Sequence, residues 1–322
     1  MTPGHSYYNK WLHRFAKLVA GATFLLIVVG GLVTSTGSGL AVPDWPTTYG
    51  HFMFSFPLSQ MVGGILYEHG HRMVASVVGM LMVILAVWLW LKEPRRWVRW
   101  LGAASLLTVI LQGLLGGLTV MLLLPTPVSV FHACLAQAFF MLTISLAMVT
   151  SREWEETTPE IHDTRLPNLA LATVAAVFVQ LILGAVMRHT GSGLAIPDFP
   201  LAFGRIIPPI QSQAVAIHFL HRVGALVVTV CVVWTVGHIF RRHRSERRLT
   251  RPAALLLLAL VLQIMLAAWT IWSRKAVLPT TAHVATGAFV LGNSLFLLLR
   301  TQKLVVAHTR EQEVLIEQPS VS

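Results

Sequence analysis

Charged residues are scarce in this chain of 322 residues, since only 11% are charged whereas 55% are hydrophobic. A soluble domain of this size does not need so much apolar sequence, and several runs approach the ~20 apolar residues that span a bilayer as a helix. A net charge of +11 in a soluble protein would suggest a nucleic-acid partner. Here the basic residues cluster between apolar runs, so membrane topology explains them and no nucleic-acid partner is predicted.

Cysteine is almost absent. Cys134 and Cys231 both lie inside apolar runs, where we expect them to pack as small apolar side chains and not to form a disulfide. The chain has no Cys-x-x-Cys motif, which argues against zinc, iron–sulfur and covalent c-type heme sites. No glycine-rich stretch ends in Gly-Lys-Ser/Thr, so no phosphate-binding loop is predicted either.

Apolar segments dominate the rest of the chain and predict eight transmembrane helices. The segments are Leu18–Val33, Met73–Leu91, Leu101–Leu124, Val128–Thr150, Leu169–Met187, Val223–Phe240, Ala253–Ile271 and Thr280–Leu299. No small-residue cleavage site follows the first segment, so it is interpreted as a retained helix and not as a removed signal peptide.

Basic clusters at 10–17, 92–99 and 241–251 fix the predicted orientation. The positive-inside rule places them in the cytoplasm, so we expect a multi-pass protein of the cell inner (plasma) membrane with both termini cytoplasmic. The linker 151–168 is then cytoplasmic and expected to be solvated, and the polar tail 301–322 is expected to be loosely ordered. Histidines on this side are also expected to be solvated and are given no role: His5, His13, His162, His238, His243 and His308.

An internal repeat organises the sequence. The stretch Thr-Gly-Ser-Gly-Leu-Ala-Val-Pro-Asp-Trp-Pro at 36–46 returns at 190–200 with only two substitutions, and Gln112 is matched by Gln263 151 residues later. Landmarks that keep an offset near 150 residues indicate a duplicated unit. We therefore predict an all-α integral membrane fold of eight transmembrane helices in two pseudo-symmetric four-helix bundles, 1–150 and 169–300, related by an axis along the membrane normal.

Four histidines follow the same repeat. His71 and His221 lie at the starts of the second and sixth segments, and His132 and His283 lie about one turn into the fourth and eighth. All four are therefore predicted at one depth, toward the outer face. Two imidazoles that face each other in an apolar bundle are typical of a bis-histidine heme, with one axial nitrogen from each side.

Alternatives to heme remain at these positions. A zinc or copper ion would need a third ligand, which His51, His69, His189 or His218 could supply. In the heme interpretation, Arg72 and Arg222 directly follow His71 and His221 and are expected to pair with heme propionates.

Other polar residues of the repeat have structural interpretations. Asp44 and Asp198 are expected to form turns within loops that cover the bundle mouths, with a direct functional role as the alternative. Gln112 and Gln263 lie inside apolar segments, where polar side chains usually bond across helices. A contact with heme is the alternative for these two glutamines.

Glu68 breaks the repeat, because its counterpart is His218. A purely structural residue would not need to differ between the halves. At helical spacing Glu68 shares a face with His71, and a carboxylate one turn from a heme ligand is suited to proton transfer. The alternative is a charge placed near a helix N-terminus by the helix dipole.

These residues resemble the heme A synthase family over roughly 11–300. The resemblance is carried by Gly-Leu-Val-Thr-x-Thr-Gly-Ser-Gly at 31–39, Pro-Asp-Trp-Pro at 43–46, Glu68-x-x-His71-Arg72, Leu111-Gln112-Gly113 with His132, and His221-Arg222 with His283. It implies that the first half binds the substrate heme O through His71 and His132, with Arg72. It also implies a heme b cofactor on His221 and His283, with Arg222, and Glu68 as the catalytic residue.

The resemblance also implies a reaction and its setting. A ring methyl of heme O is oxidised to a formyl group, through two hydroxylations and loss of water, to give heme A for terminal oxidases. A heme O synthase (protoheme farnesyltransferase) would supply the substrate and cytochrome oxidase assembly would receive the product, with homo-oligomerisation left open. Many members carry a cysteine pair in the first outer loop, but Leu40–Tyr49 has none, so a redox role for that pair cannot apply here. A bis-histidine diheme electron carrier of cytochrome b type is the alternative function, and a transporter is a third.

Overall fold

The computed structural model describes residues 8–306, and within them the fold is almost entirely helical with no named strand. Eight helices are long and apolar enough to cross a membrane, as the sequence predicts, and a ninth is short. In chain order the helices are α1 Lys10–Ser35, α2 Gly64–Lys92, α3 Arg96–Met121, α4 Thr126–Val149, α5 Arg152–Glu156, α6 Arg165–His189, α7 Gln213–Arg242, α8 Arg247–Trp272 and α9 Val277–Leu304.

In each half of the chain, four long helices pack in a closed ring, which is called a circuit below. In the first half α1 packs on α2 and α4, and α3 packs on α2 and α4; in the second half α6, α7, α8 and α9 repeat this pattern. Each circuit encloses its own apolar core. The circuits meet through α1, α4, α6 and α9. The domain boundaries and the symmetry axis that relates the halves stay predictions.

The outward faces of the long helices are apolar, as a bilayer requires. Leu91 is 72% exposed and Trp234 64% exposed, and many other large hydrophobic side chains are similarly uncovered. In water this surface would drive aggregation, whereas lipid removes its cost. Helix α9 differs, since 56% of its most apolar 18-residue stretch is buried. The corresponding share is 22–28% in the other seven spanning helices. It packs on α1 and α4 of the first circuit and on α6 and α8 of its own circuit.

Helix α1 begins at Lys10, more than two turns before its apolar segment, and the two helices that carry the His-Arg pairs begin even earlier relative to theirs. Helix α2 starts at Gly64 and α7 at Gln213, so each begins more than two turns before its apolar segment. The polar residues of these first turns are tolerated because their side chains are paired with the outer loops. Both His-Arg pairs therefore lie well inside helices.

The linker between the halves is tied to the ends of the long helices, although many of its residues are exposed to solvent. Arg95 bridges Glu93 and Glu155, and Arg300 from α9 donates to Glu153. The backbone of Ile161 pairs with the end of α9 at Leu304. Helix α6 also starts within the predicted linker, at Arg165. Acidic linker residues thus fasten the linker to the ends of the long helices.

Helix α8 contains Pro252, whose ring nitrogen has no hydrogen to donate to the carbonyl of Arg248 one turn earlier. Arg300 on α9 supplies the missing donor, because its Nη1 lies 2.8 Å from that carbonyl oxygen. Asn293 on α9 donates to the carbonyl of Pro252 itself at 2.9 Å. The proline is thus accommodated by its neighbour and not by α8 alone.

We expect Arg300→Gln to destabilise the protein less when Pro252 is replaced by alanine. In Pro252→Ala the new backbone N–H can bond Arg248, so one bond from Arg300 becomes redundant, an effect of ~1 kcal/mol. Thermal unfolding in detergent of the four proteins of this cycle measures the coupling. Glu153→Gln removes only the ion pair of Arg300 and should be insensitive to residue 252; equal losses for Arg300→Gln in both backgrounds would contradict the assignment.

Candidate functional site

The four repeated histidines lie on helices at opposite corners of their circuits. His71 is on α2 and His132 on α4, whereas His221 is on α7 and His283 on α9. Each lies six to eight residues after the first residue of its helix, which gives the common depth expected from the sequence. His71 and His132 thus lie on helices of one circuit, and His221 and His283 lie on helices of the other. That each pair shares one heme stays a prediction.

Glycines on neighbouring helices make room for three of the four rings. A Cβ at Gly30, Gly116 or Gly184 would lie 3.0–3.1 Å from the Cε1 atom of the facing histidine. These contacts join α1 to His71, α3 to His132 and α6 to His221. Each ring thus packs directly on a backbone, which fixes its position across the bundle.

Glutamines hold the histidines from the adjacent helix. Gln112 donates to the carbonyl of His132 at 3.1 Å. His283 donates its Nδ1 proton to the carbonyl of Gln263, at 3.2 Å. The side-chain amide of Gln263 donates in turn to Nε2 of His283 at 3.4 Å, so a metal bound at that nitrogen would displace this contact. The expectation that these glutamines bond across helices is confirmed.

Gln180 is a further histidine partner that the repeat could not identify. Its amide nitrogen lies 2.8 Å from the carbonyl oxygen of His221 and 3.1 Å from Nδ1 of the same residue. The equivalent position in the first half is Leu26, so only the second half has this contact. In the sequence, the only indication of this role is that a polar residue lies in the middle of an apolar segment.

The residues of the site fit a heme in each half. All four histidine residues are only partly buried, so a group bound between the helices could reach them. Nδ1 of His71 and of His132 is buried without a partner. Facing imidazoles in an apolar cleft are the donor set of a bis-histidine heme.

The two outer loops repeat each other in structure as well as in sequence. Asp44 accepts backbone N–H groups from Tyr49 and Gly50, and Asp198 accepts those of Phe203 and Gly204. Both aspartates are turn-forming, as expected. Burial opposes ionisation of Asp44, but these bonds and one from the Thr47 hydroxyl lower the pKa of Asp44 to about 2. In the first half Trp45 packs on Gly117 of α3, so the loop covers the end of that bundle.

An arginine clamps each loop to the helix that carries the histidine. The guanidinium of Arg72 donates to the carbonyls of Val42, Asp44 and Thr47 at 2.6–3.1 Å. Its counterpart Arg222 donates to the three equivalent carbonyls at 2.6–3.3 Å, which are those of Ile196, Asp198 and Leu201. Loop anchoring is therefore a role of these arginines that the sequence did not suggest, and pairing with propionates stays a prediction.

Glu68 and His218 perform the same structural task. Glu68 Oε2 accepts the backbone N–H of Val42 at 2.8 Å, and His218 Nδ1 accepts that of Ile196, the equivalent residue, at 3.2 Å. The argument that a structural residue would not differ between halves is thus wrong, because an imidazole and a carboxylate both accept this bond. Glu68 differs by an ion pair with Arg72 at 2.6 Å, and both side chains are almost fully buried.

No third metal ligand gathers at these histidines in residues 8–306. His69 is buried and bonded to Thr48, and His218 anchors a loop. Within the described range, one group of three residues has metal-ligating atoms close together. It consists of Asp163, His238 and His243, at the other end of α7, which contradicts the expectation that His238 and His243 are solvated. His5 and His308 lie outside the described residues.

The fold and the paired histidines define a multi-pass membrane protein with one histidine pair in each half. The COX15-CtaA family model, described as cytochrome oxidase assembly protein, matches residues 13–295, and relatives named Heme A synthase match most of the chain. The chain therefore belongs to the heme A synthase family, as the motifs predict.

Three relatives illustrate the match. The Heme A synthase of Shouchella clausii is 28% identical over 265 residues, covering 79% of this chain and 84% of the relative. Those of Halalkalibacterium halodurans and Symbiobacterium thermophilum are each 30% identical over 250 residues, covering 74% and 73% of this chain and 80% and 78% of the relatives. The similarity thus extends through both halves.

We expect Gly116→Ala to lower heme occupancy of the first half several-fold. Its Cβ would lie 3.0 Å from Cε1 of His132 and displace the ring. Gly113→Ala, one turn earlier on α3, is the matched control, since nothing lies within 4 Å of its Cβ. Heme extraction from the purified variants, with the heme content of the parent protein as reference, checks this. Equal occupancy in both variants would show that His132 does not need its contact with Gly116.

Proposed function

We propose that this chain makes heme A by oxidising a ring methyl of heme O to a formyl group. Membership of the family supports the general activity, and the names of the relatives refer to this product. The observation that carries the assignment of roles is the difference between Glu68 and His218 within clamps that are otherwise the same. One half has a buried carboxylate beside its histidine pair, and the other half has none.

In this proposal the first half holds heme O between His71 and His132. Gln112 and Gly116 position the His132 ring, and the outer loop, fastened by Arg72, excludes water from the cleft. Conversion of a methyl group and water to a formyl group releases protons and electrons. Glu68 is the carboxylate beside the histidine pair that would accept the protons. Glu68 already bonds Arg72 and the loop, so proton uptake there would also loosen the clamp.

The second half holds heme b between His221 and His283 in this proposal. The bonds from Gln180 and Gln263 orient these ligands, and Arg222 fastens the covering loop. When bound, heme b would relay electrons away from the substrate. The absence of a carboxylate at residue 218 suits a half that transfers electrons only.

The proposed setting is the plasma membrane, with both termini cytoplasmic and the heme sites toward the outer face. Basic residues near the opposite helix ends support this orientation. A heme O synthase (protoheme farnesyltransferase) would supply the substrate, and the product would pass to cytochrome oxidase assembly, with homo-oligomerisation left open. Both exchanges suit a membrane protein, because a farnesylated porphyrin partitions into lipid.

A diheme electron carrier of cytochrome b type is the second candidate. The structural role of Glu68 favours it, since loop anchoring accounts for that residue without any chemistry. Pyridine-hemochrome analysis of the purified protein separates the two functions. Heme O or heme A beside heme b supports the enzyme, whereas two tightly held b hemes support the carrier.

We expect Glu68→Gln to retain both hemes and to lower formyl production by roughly 100-fold or more. Glu68→His is the matched variant, because the second half shows that an imidazole can accept the loop N–H. It should keep the loop anchored yet also be inactive. Co-expression with a heme O synthase and chromatography of extracted hemes gives the readout. Activity in Glu68→His would show that position 68 serves only the loop.

We expect His221→Ala to lose the low-spin b-type spectrum of the second half. The imidazole is one of two proposed axial ligands, and alanine offers no donor. His218→Gln, on the same helix, changes only a loop anchor and should keep that spectrum. Reduced-minus-oxidised optical spectra compare the two. A retained low-spin b signal in His221→Ala would reject this ligand assignment.

A further inference from the structure

Three potential metal ligands converge far from the heme histidines, at the other end of α7. Asp163 Oδ2 lies 2.6 Å from Nε2 of His238 and 2.7 Å from Nε2 of His243. All three ligand atoms lie within 4.8 Å of one another. The side chains are only 10–15% exposed, so the group is a shielded cluster and not a solvated surface patch.

The carboxylate of Asp163 divides its two oxygens between two tasks. Oδ1 accepts the backbone N–H groups of Arg165 and Leu166 and so caps α6. Oδ2 faces the two imidazoles. Burial opposes ionisation of this residue, but the four hydrogen bonds keep the pKa of Asp163 below its usual range. Asp163 therefore offers a charged oxygen to the two histidines.

The first half shows that helix capping does not require this cluster. Its equivalent of Asp163 is Asn9, whose side-chain oxygen accepts N–H groups from Trp11 and Leu12 to cap α1. The positions that match His238 and His243 are Trp88 and Glu93. An uncharged amide thus suffices for the cap, and the second half alone combines a carboxylate with two imidazoles.

The chemistry of the three groups indicates which kind of metal ion they would bind. Two neutral imidazoles and one carboxylate are typical of borderline transition metals such as Zn²⁺, whereas Ca²⁺ and Mg²⁺ prefer oxygen donors. Zinc ligands lie ~2.0–2.2 Å from the ion in a tetrahedral arrangement, so they lie further from one another than hydrogen-bonded atoms do. The Asp163 oxygen would therefore move roughly 0.7 Å away from each histidine nitrogen when zinc binds. His243 follows the end of α7, where such a movement requires little repacking.

We propose that Asp163, His238 and His243 bind a divalent transition-metal ion of the zinc type, with a fourth position open to water. The ion would join the linker to the end of α7. The linker is already paired with the end of α9, where Ile161 donates to the Leu304 carbonyl at 3.0 Å. Metal binding would therefore lock α6, α7 and α9 together at this end of the second half and stabilise the fold by mass action.

The test uses the full-length, heme-loaded protein after treatment with a chelator, with Zn²⁺ alone as the probe. We expect one zinc per chain by elemental analysis, measured separately from heme iron, and a higher Tm with added Zn²⁺. Co²⁺ should give visible d–d bands of a site with nitrogen and oxygen ligands. Asp163→Asn keeps the α6 cap, as Asn9 does in α1, and should weaken zinc binding by ~10-fold or more.

Two further variants make the result independent of that cap. His243→Gln should also lose zinc, whereas His162→Gln, an exposed neighbour outside the cluster, should bind it like the parent protein. Heme spectra should remain unchanged in all three variants. The proposal would be overturned if the parent protein bound no zinc. It would also be overturned if Asp163→Asn and His243→Gln bound zinc as tightly as the parent does. A fall in Tm for these variants with no dependence on Zn²⁺ would likewise overturn it, leaving a hydrogen-bonded cluster only.

Discussion

One guanidinium group in each half fastens an outer loop to the helix that carries a heme-ligand candidate. Arg72 and Arg222 each satisfy three backbone carbonyls of their loop. Unpaired carbonyls at the boundary of a membrane would cost several kcal/mol in total. Because each arginine directly follows His71 or His221, the loop cannot shift without moving the ring beside it. Loop, helix and histidine thus form one mechanical unit, and the rest of the site depends on it.

The two halves keep this unit and differ around it. Gly30 and Gly184 admit the equivalent rings of His71 and His221, and the glutamines at 112 and 263 hold the other pair. Two of the differences concern the site: Leu26 in the first half corresponds to Gln180 beside a histidine, and Glu68 corresponds to His218 beside a loop. A duplicated scaffold can keep its packing while single positions acquire separate tasks. Positions 68 and 218 can differ because a carboxylate and an imidazole both accept the loop N–H.

Most of the fold could be predicted from the sequence, because long apolar runs determine the eight spanning helices. The repeat also predicted that Glu68 and His218 occupy equivalent positions, and both accept a loop N–H. The early starts of α2 and α7 could not be predicted, since hydropathy loses its signal at Glu68 and His218, where loop contacts satisfy the polar groups. The cluster of His238 with Asp163 was missed for a related reason. These residues are 75 positions apart, and nothing local to either one indicates the other.

The structural role of Glu68 changes how its chemistry should be understood under the proposed function. The Glu68 carboxylate accepts both a loop N–H and the Arg72 guanidinium, so any proton that it takes up from the substrate also acts on these two contacts. Protonation would weaken both bonds, and with them the clamp over the first cleft. In the second half, His218 anchors its loop without a charge-assisted pair, so that loop lacks this link. Proton release from the substrate and opening of the substrate cleft would then be coupled in the first half alone.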